Sequence, residues 1–224
     1  MKFAQVADEY GPRTGATQEW VYNVLHYGII SGSFESGMQL KQDDISAALN
    51  VSHIPVREAL RQLEVQGLVT ILPNRGASVS SPSRNEIQDM LEVRAALEGM
   101  CLANSAALLE ESDIALLQQI NREMRYEKDA KKLEQLNRSF HDTLLGYDEN
   151  GLAKKLIINI HDNIDRFVRA CIFGREDRKK RLLSEHDAIL EACLDKDFRG
   201  AGELLTAHVR NAKDFIPIKL ENSK

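Results

Sequence analysis

The sequence predicts a mainly α-helical chain in two parts: three short helices closed by a small β-hairpin, then an all-α helical bundle. Three observations predict it. Apolar residues recur at helical spacing through most of the 224 residues. Two short β-prone runs flank Pro73-Asn74-Arg75-Gly76, a turn signal. Beyond Ser83, glycine and proline are scarce inside the periodic spans.

The elements follow in order. Val21, Val24, Leu25, Tyr27, Gly28 and Ile29 form one stripe, so about Thr17 to Ser31 reads as a helix, broken by Gly32, Ser33 and Gly37. Ile45, Ala48 and Leu49 mark a short second helix, and Asn50-Val51 the turn after it. Ser52 stands where a third helix would be N-capped. Pro55 falls in its first turn, where a missing N–H costs nothing, and Gly67 stops it after about Gln66. Leu68–Leu72 and Ala77–Ser80 then pair around Asn74-Arg75-Gly76 as a hairpin. Helix, turn, helix and hairpin make a winged helix-turn-helix, assigned to residues 12–81, with residues 82–84 as linker. The bundle occupies residues 85–224. Its first helix is opened by a Ser83/Glu86 capping box and carries Ile87, Met90, Leu91, Val93, Leu97 and Leu102. Later helices are expected near 112–128 (capped by Ser112), 131–146, 152–173, 179–194 and 198–214.

Composition narrows the function. No apolar run approaches the roughly 18 residues that span a bilayer, and Met1–Gly11, with Asp8 and Glu9, does not read as a signal peptide. No membrane partner is expected. Three cysteines, Cys101, Cys171 and Cys193, are odd in number and far apart, which excludes a disulfide framework and fits a reducing cytoplasm. They read as small buried apolar side chains. Net charge is −5, and the balance is acidic in both parts, with six Lys/Arg against eight Asp/Glu before residue 84 and 23 against 26 from residue 84 onward. Any affinity for nucleic acid must come from a local basic surface.

The third helix offers such a surface. Val56, Ala59, Leu60 and Leu63 lie on one face, while His53, Arg57 and Arg61 recur at i, i+4 and i+8 on another. A helix with one apolar stripe and guanidiniums opposite suits the major groove, where arginine pairs with guanine O6 and N7 or with phosphate. Arg75 at the hairpin tip reaches for a neighbouring groove or phosphate, and Gly76 permits close approach. The alternative is a solvated face in which Arg57 and Arg61 pair with Glu58 or Glu64.

The string VSHIPVREALRQLEVQGLVTILPNRGASV, Val51 to Val79, resembles the GntR family of bacterial regulators. The matching positions are Val51-Ser52, Pro55 to Leu60, Leu63-Glu64, Gly67 to Val69 and Asn74 to Gly76, and the likeness extends back over Ile30 to Leu40. The resemblance implies operator binding by a dimer, with Ser52, His53, Arg57 and the wing near Gly76 at double-stranded DNA. Two residues depart from the family: His53 stands where arginine is usual, and Asp43 where some members carry arginine. Stronger reliance on Lys41, Arg57, Arg61 and Arg75 is expected.

In the bundle, His141 follows Asn137 by four residues on one helix face, and His186 and His208 lie on the last two long helices. By pattern alone these are core-edge or surface histidines, or ligands enclosing a divalent metal. NRSFHDTLL, and EHDAILEACLDKDFRGAGELLTAH ending at His208, are similar to the FCD effector domain of the FadR subfamily, with a length closer to the VanR branch. The resemblance implies that Asn137, His141, His186 and His208 occupy four metal-ligand positions, with zinc, nickel or manganese as the ion and a small carboxylate completing the coordination. Asn137 replaces the more typical aspartate, a weaker ligand. Asp197 and Ala201 also match. Arg94 is a candidate anchor for the effector carboxylate, or else a surface i,i+4 partner of Glu98. His161, Arg166 and Arg169 are candidates to line the same cavity.

The function expected is therefore an effector-gated transcription factor, dimeric because two-fold operators call for two-fold proteins, with the Ser83–Leu109 helix and its neighbours as candidate interface. No catalytic residue is assigned. Two other readings stand: a helical metalloenzyme built on the three histidines, and an adaptor whose winged helix binds no DNA.

Overall fold

The structure, a computed structural model, describes residues 2–72, 76–146, 151–172 and 175–215, and all their side chains except those at 72, 165, 166, 168–172 and 215. Arg75 and the side chains of Arg166, Arg169 and Cys171, all singled out above, lie outside what the structure describes. The chain divides between Pro82 and Ser83 into two compact units.

The first unit contains α1 (Lys2–Tyr10), α2 (Thr17–Ile30), α3 (Gln42–Leu49) and α4 (His53–Val65), with strands β1 (Gln39–Leu40), β2 (Val69–Leu72) and β3 (Gly76–Val79). The sheet is antiparallel in the order β1-β3-β2, with Val69 opposite Val79, Leu72 opposite Gly76 and Leu40 opposite Ala77. The expected three helices and hairpin are present, and two elements are additional. Strand β1 is too short to leave a periodic signal; it is defined by its partner β3. Helix α1 extends the unit ahead of residue 12 by burying Phe3, Val6 and Ala7, with the Phe3 ring 5.1 Å from that of Phe34. Trp20 Nε1 donates to the Gly11 carbonyl at 3.2 Å and ties the connection down.

The core of this unit is filled by the stripes read from the sequence. Val21, Val24, Leu25 and Ile29 of α2 meet Ile45 of α3 and Val56, Leu60 and Leu63 of α4, all with at most 1% exposure. Burial of each such side chain contributes roughly 1.5–3 kcal/mol. Asn50 ends α3 in the left-handed conformation at φ 51°, and the Val51 N–H closes the turn on the Ser46 carbonyl at 3.1 Å. Ser52 holds the N-cap backbone conformation of α4, but its side chain makes no capping bond, contrary to expectation. Gly76 has φ +77° with open space around it, which is why a glycine starts β3.

The second unit is helical among the described residues: α5 (Arg84–Ser105), α6 (Glu111–Tyr126), α7 (Ala130–Leu144), α8 (Leu152–Ile172), α9 (Glu176–Leu194) and α10 (Phe198–Asn211), with 3₁₀ turns after α5 and α10. The Ser83/Glu86 capping box is formed at both ends, with Ser83 N–H donating to Glu86 Oε2 at 2.7 Å. Helix α6 is capped by Glu110 and Asp113 instead of Ser112, because the helix starts one residue earlier than read. Asp129 and Asp197 cap α7 and α10. Helix α5 lies along α10 and also meets α8, while α6 packs on α7 and α9. The α5–α10 crossing is close: a Cβ at Gly202 would stand 2.6 Å from the Gly99 carbonyl oxygen. Cys193 is buried, and burial pushes its thiol up to about 11, whereas Cys101 is only half-buried.

Candidate functional site

In the first unit, the turn at Asn50-Val51 sets α4 against α3 and leaves one face of α4 in solvent. His53, Arg57 and Arg61 are all exposed on that face, opposite buried Val56, Ala59, Leu60 and Leu63. Glu58 takes both arginines, Arg57 Nε at 3.5 Å and Arg61 Nη1 at 3.5 Å. Exposed pairs of that length are worth little, so the guanidiniums remain free to exchange Glu58 for phosphate or a base. Glu64 is engaged elsewhere, accepting from the Ile71 N–H at 3.3 Å. Lys41 and Ser52 are exposed as well. His53 Nδ1 lies 3.5 Å from Asp43 Oδ1, so the two residues that depart from the family pattern are each other's partners.

In the second unit, α7, α9 and α10 bring His141, His186 and His208 together, with one nitrogen of each within 4.8 Å of the others. All three are buried. Phe140, beside His141 on α7, stacks flat on His186 with centroids 3.9 Å apart and 2° between planes, which fixes that ring. His141 Nδ1 is 2.7 Å from Glu98 Oε2, and His208 Nδ1 is 2.8 Å from Glu185 Oε2. Each carboxylate thus engages Nδ1 and leaves Nε2 for another partner. Carboxylate-bound imidazoles of this kind are the usual supports of metal-ligating histidine. Neither nitrogen of His186 has a hydrogen-bond partner, and Asn137 Oδ1, one turn before His141, is buried without one. Buried polar atoms left unpaired cost roughly 1–3 kcal/mol each, and an ion held by these groups would remove the deficit. The donor set, three imidazoles and a carboxamide oxygen, fits a divalent transition metal.

Protonation states agree with that fit. Burial pushes His141 down to about 3 against the pull of Glu98, and burial with the neighbouring His208 and His141 pushes His186 well below the ordinary range. Burial would raise Glu98, but Arg94 and the bonds from His141 and His161 hold it well below the usual carboxylate range. Neutral imidazoles beside a carboxylate anion are ready to ligate without losing a proton.

Arg94 does pair with Glu98, Nε to Oε1 at 2.6 Å, but not at the surface: both residues are buried on the inner face of α5. His161 on α8 reaches the same oxygen with Nε2 at 2.9 Å. The reading of the sequence missed Glu98 except as a partner for Arg94, and it missed Glu185. A signal for Glu98 was present. Ile87, Leu91, Ala95, Glu98 and Leu102 follow helical spacing, so a carboxylate interrupts a core stripe.

Comparison with known proteins follows this division. Residues 17–79 match the family described as bacterial regulatory proteins, gntR family, and residues 89–211 match the FCD domain. The chain is 28% identical over 214 residues to the HTH-type transcriptional repressor RspR of Escherichia coli K12, covering 94% of this chain and 93% of that protein. It is 25% identical over 207 residues to the HTH-type transcriptional regulator YdhC of Bacillus subtilis 168, covering 91% and 92%. Among solved structures, a GntR-family transcriptional regulator of Pseudomonas syringae pv. tomato DC3000 aligns over 99% of this chain and 96% of its own, with 26% identity and a TM-score of 0.54. Escherichia coli McbR/YncC shares the fold, with a TM-score of 0.72 at 20% identity over 88% of this chain and 95% of that one.

Proposed function

The chain belongs to the GntR family of bacterial regulatory proteins, as a DNA-binding transcriptional regulator with an FCD domain and not an enzyme, and from that premise we propose how its two units act. The first unit reads a DNA operator with the exposed face of α4 and the wing. Arg57 and Arg61 contact base edges or phosphate, His53 and Ser52 meet the backbone at the N-terminus of α4, and Lys41 and the wing at Arg75 and Gly76 hold flanking phosphates. The uncapped α4 N-terminus supports this, since its free N–H groups and the idle Ser52 hydroxyl suit a phosphate.

The second unit senses a small carboxylate at a metal centre. The observation that carries this reading is the convergence of three buried histidines within 4.8 Å, with both nitrogens of His186 and the Asn137 Oδ1 left without a hydrogen-bond partner. His141, His186 and His208, with Asn137, would hold a divalent ion such as zinc, nickel or manganese, which supplies an open position for a carboxylate oxygen. Arg94 binds the other end of that anion. Only its Nε is spent on Glu98, and its terminal nitrogens make no hydrogen bond among the described residues. Helix α5 carries Arg94 and starts five residues after the end of β3 at Val79, so a shift of α5 on effector binding has a short path to that strand.

The working species is a homodimer joined through the outer face of α5. There Val93, Ala96 and Met100 are exposed at helical spacing, an apolar stripe that a second copy would cover. No described helix is long and apolar enough to cross a membrane. Mobility shift of promoter DNA, in chelator and then with added zinc, nickel or manganese, tests the reading. A salt-dependent shift that responds to metal is expected. DNA binding that is indifferent to both chelator and metal would leave the second unit without a sensing role.

A further inference from the structure

We propose that Glu98 is a positioning residue that joins the two halves of the sensing site. Its Oε2 holds His141 in the tautomer that presents Nε2 to an ion, and its Oε1 holds Arg94 and His161. The proposal rests on the reading of His141, His186 and His208 as metal ligands.

Glu98 is fully buried in the middle of α5 and receives three donors: His141 Nδ1 at 2.7 Å, Arg94 Nε at 2.6 Å and His161 Nε2 at 2.9 Å. A carboxylate only accepts, so the Nδ1 of His141 must carry the proton, and the neutral ring then has its lone pair on Nε2. The same logic puts a proton on Nε2 of His161, which is bound to Oε1 and does not offer that nitrogen to an ion. One carboxylate therefore sorts two buried imidazoles into different roles.

The carboxylate is held as firmly as it holds. Close packing of α5 on α10 at Gly99 and Gly202 fixes the backbone beside Glu98, and Thr206 Oγ1, which donates within α10 to the Gly202 carbonyl at 2.8 Å, also lies 3.3 Å from the Ala95 carbonyl across that crossing. Helix α10 carries His208, so the ligand and the positioning residue share one crossing. Glu185 does the corresponding work for His208, but it is partly exposed and shared with Arg181 and Asn211. Glu98 has no solvent to replace it. Removing its charge leaves His141 with a weaker acceptor and Arg94 without its counter-ion. Metal affinity and the placing of the anion anchor should fall together.

The test uses the full-length Glu98→Gln variant and cobalt(II) alone as the probe. Cobalt affinity is read by competition with a chromophoric chelator, and imidazole ¹⁵N spectra are recorded on the metal-free protein. In the wild type, the signal lost in His141→Ala should be that of an Nδ1-protonated ring. Glu98→Gln should bind cobalt about 10–100-fold more weakly, with an altered cobalt absorption spectrum. Equal affinity and an unchanged spectrum would overturn the proposal while leaving the three-histidine site standing. If the wild type binds no cobalt, the metal site and this proposal both fall. Should Glu98→Gln fail to fold, the wild-type spectrum decides: an Nε2-protonated His141 rules the positioning role out, and an Nδ1-protonated one sustains it.

Discussion

His53 Nδ1 stands 3.5 Å from Asp43 Oδ1 across the turn between α3 and α4. A histidine in place of the family's arginine is thus accompanied by a carboxylate at the same surface. That carboxylate lowers the positive potential where a phosphate would approach. The pair should make DNA affinity adjustable at two neighbouring positions.

His53→Arg should tighten binding to all DNA sequences, and Asp43→Asn should do the same by removing repulsion. For His53→Arg the slope of log K against log salt should steepen by about one phosphate contact, roughly 0.9. Fluorescence anisotropy on operator and scrambled duplexes across a salt series reads both effects. An unchanged slope in His53→Arg would place His53 away from the backbone.

Arg57→Ala should lose about 1–3 kcal/mol of operator binding and lower the operator-to-scrambled ratio, as expected for a residue that reads a base. Arg75→Ala should weaken both duplexes alike, as expected for a phosphate contact. If the ratio in Arg57→Ala equals that of the wild type, α4 reads sequence through other residues.

Asn137→Asp should raise metal affinity by supplying an anionic oxygen, and His141→Ala should abolish the thermal shift produced by zinc, nickel or manganese. Melting temperature against metal concentration is the measurement. A wild-type transition that none of the three ions moves would show the cluster to be structural.

Acid should destabilise the second unit more than the first. His141, pushed down to about 3 by burial, binds fewer protons when folded than the unfolded chain does between about 3 and 6.5. Its contribution is therefore complete above about pH 6.5 and falls by about 1.4 kcal/mol per pH unit below it. Glu98, also lower when folded, adds loss in the same direction at more acid pH. Trp20, the single tryptophan, lies in the first unit, so its fluorescence reports that unit while far-UV dichroism reports mostly the second. In metal-free urea titrations from pH 7.5 to 5, the dichroism midpoint should fall faster than the fluorescence midpoint. Parallel falls would contradict the assignment to the histidine cluster.

Met100→Glu, on the exposed stripe of α5, should shift the chain towards monomer and weaken operator binding without lowering the affinity of the histidine site for metal. Sedimentation velocity with and without the substitution checks this. A variant that remains dimeric would move the interface off α5.

Local physics made most of the elements legible. The apolar stripes of α2 and α4, the Ser83/Glu86 box and the glycine at the start of β3 act within one element or one turn, so the sequence by itself determined where helices and wing lie. It determined less where the partner is remote. Strand β1 exists only through its pairing with β3, and α1 is anchored by Phe34 and by the cover it gives α2 and α3. The candidate site follows the same rule. Family resemblance supplied His141, His186 and His208, yet their approach to within 4.8 Å was decided by the packing of α7, α9 and α10. Periodicity marked the inner face of α5 but not what that face would meet. Only the tertiary structure turned Arg94 inward and set Glu98 between His141 and His161, because a helical stripe specifies which residues are buried and leaves their partners to the helices packed against them.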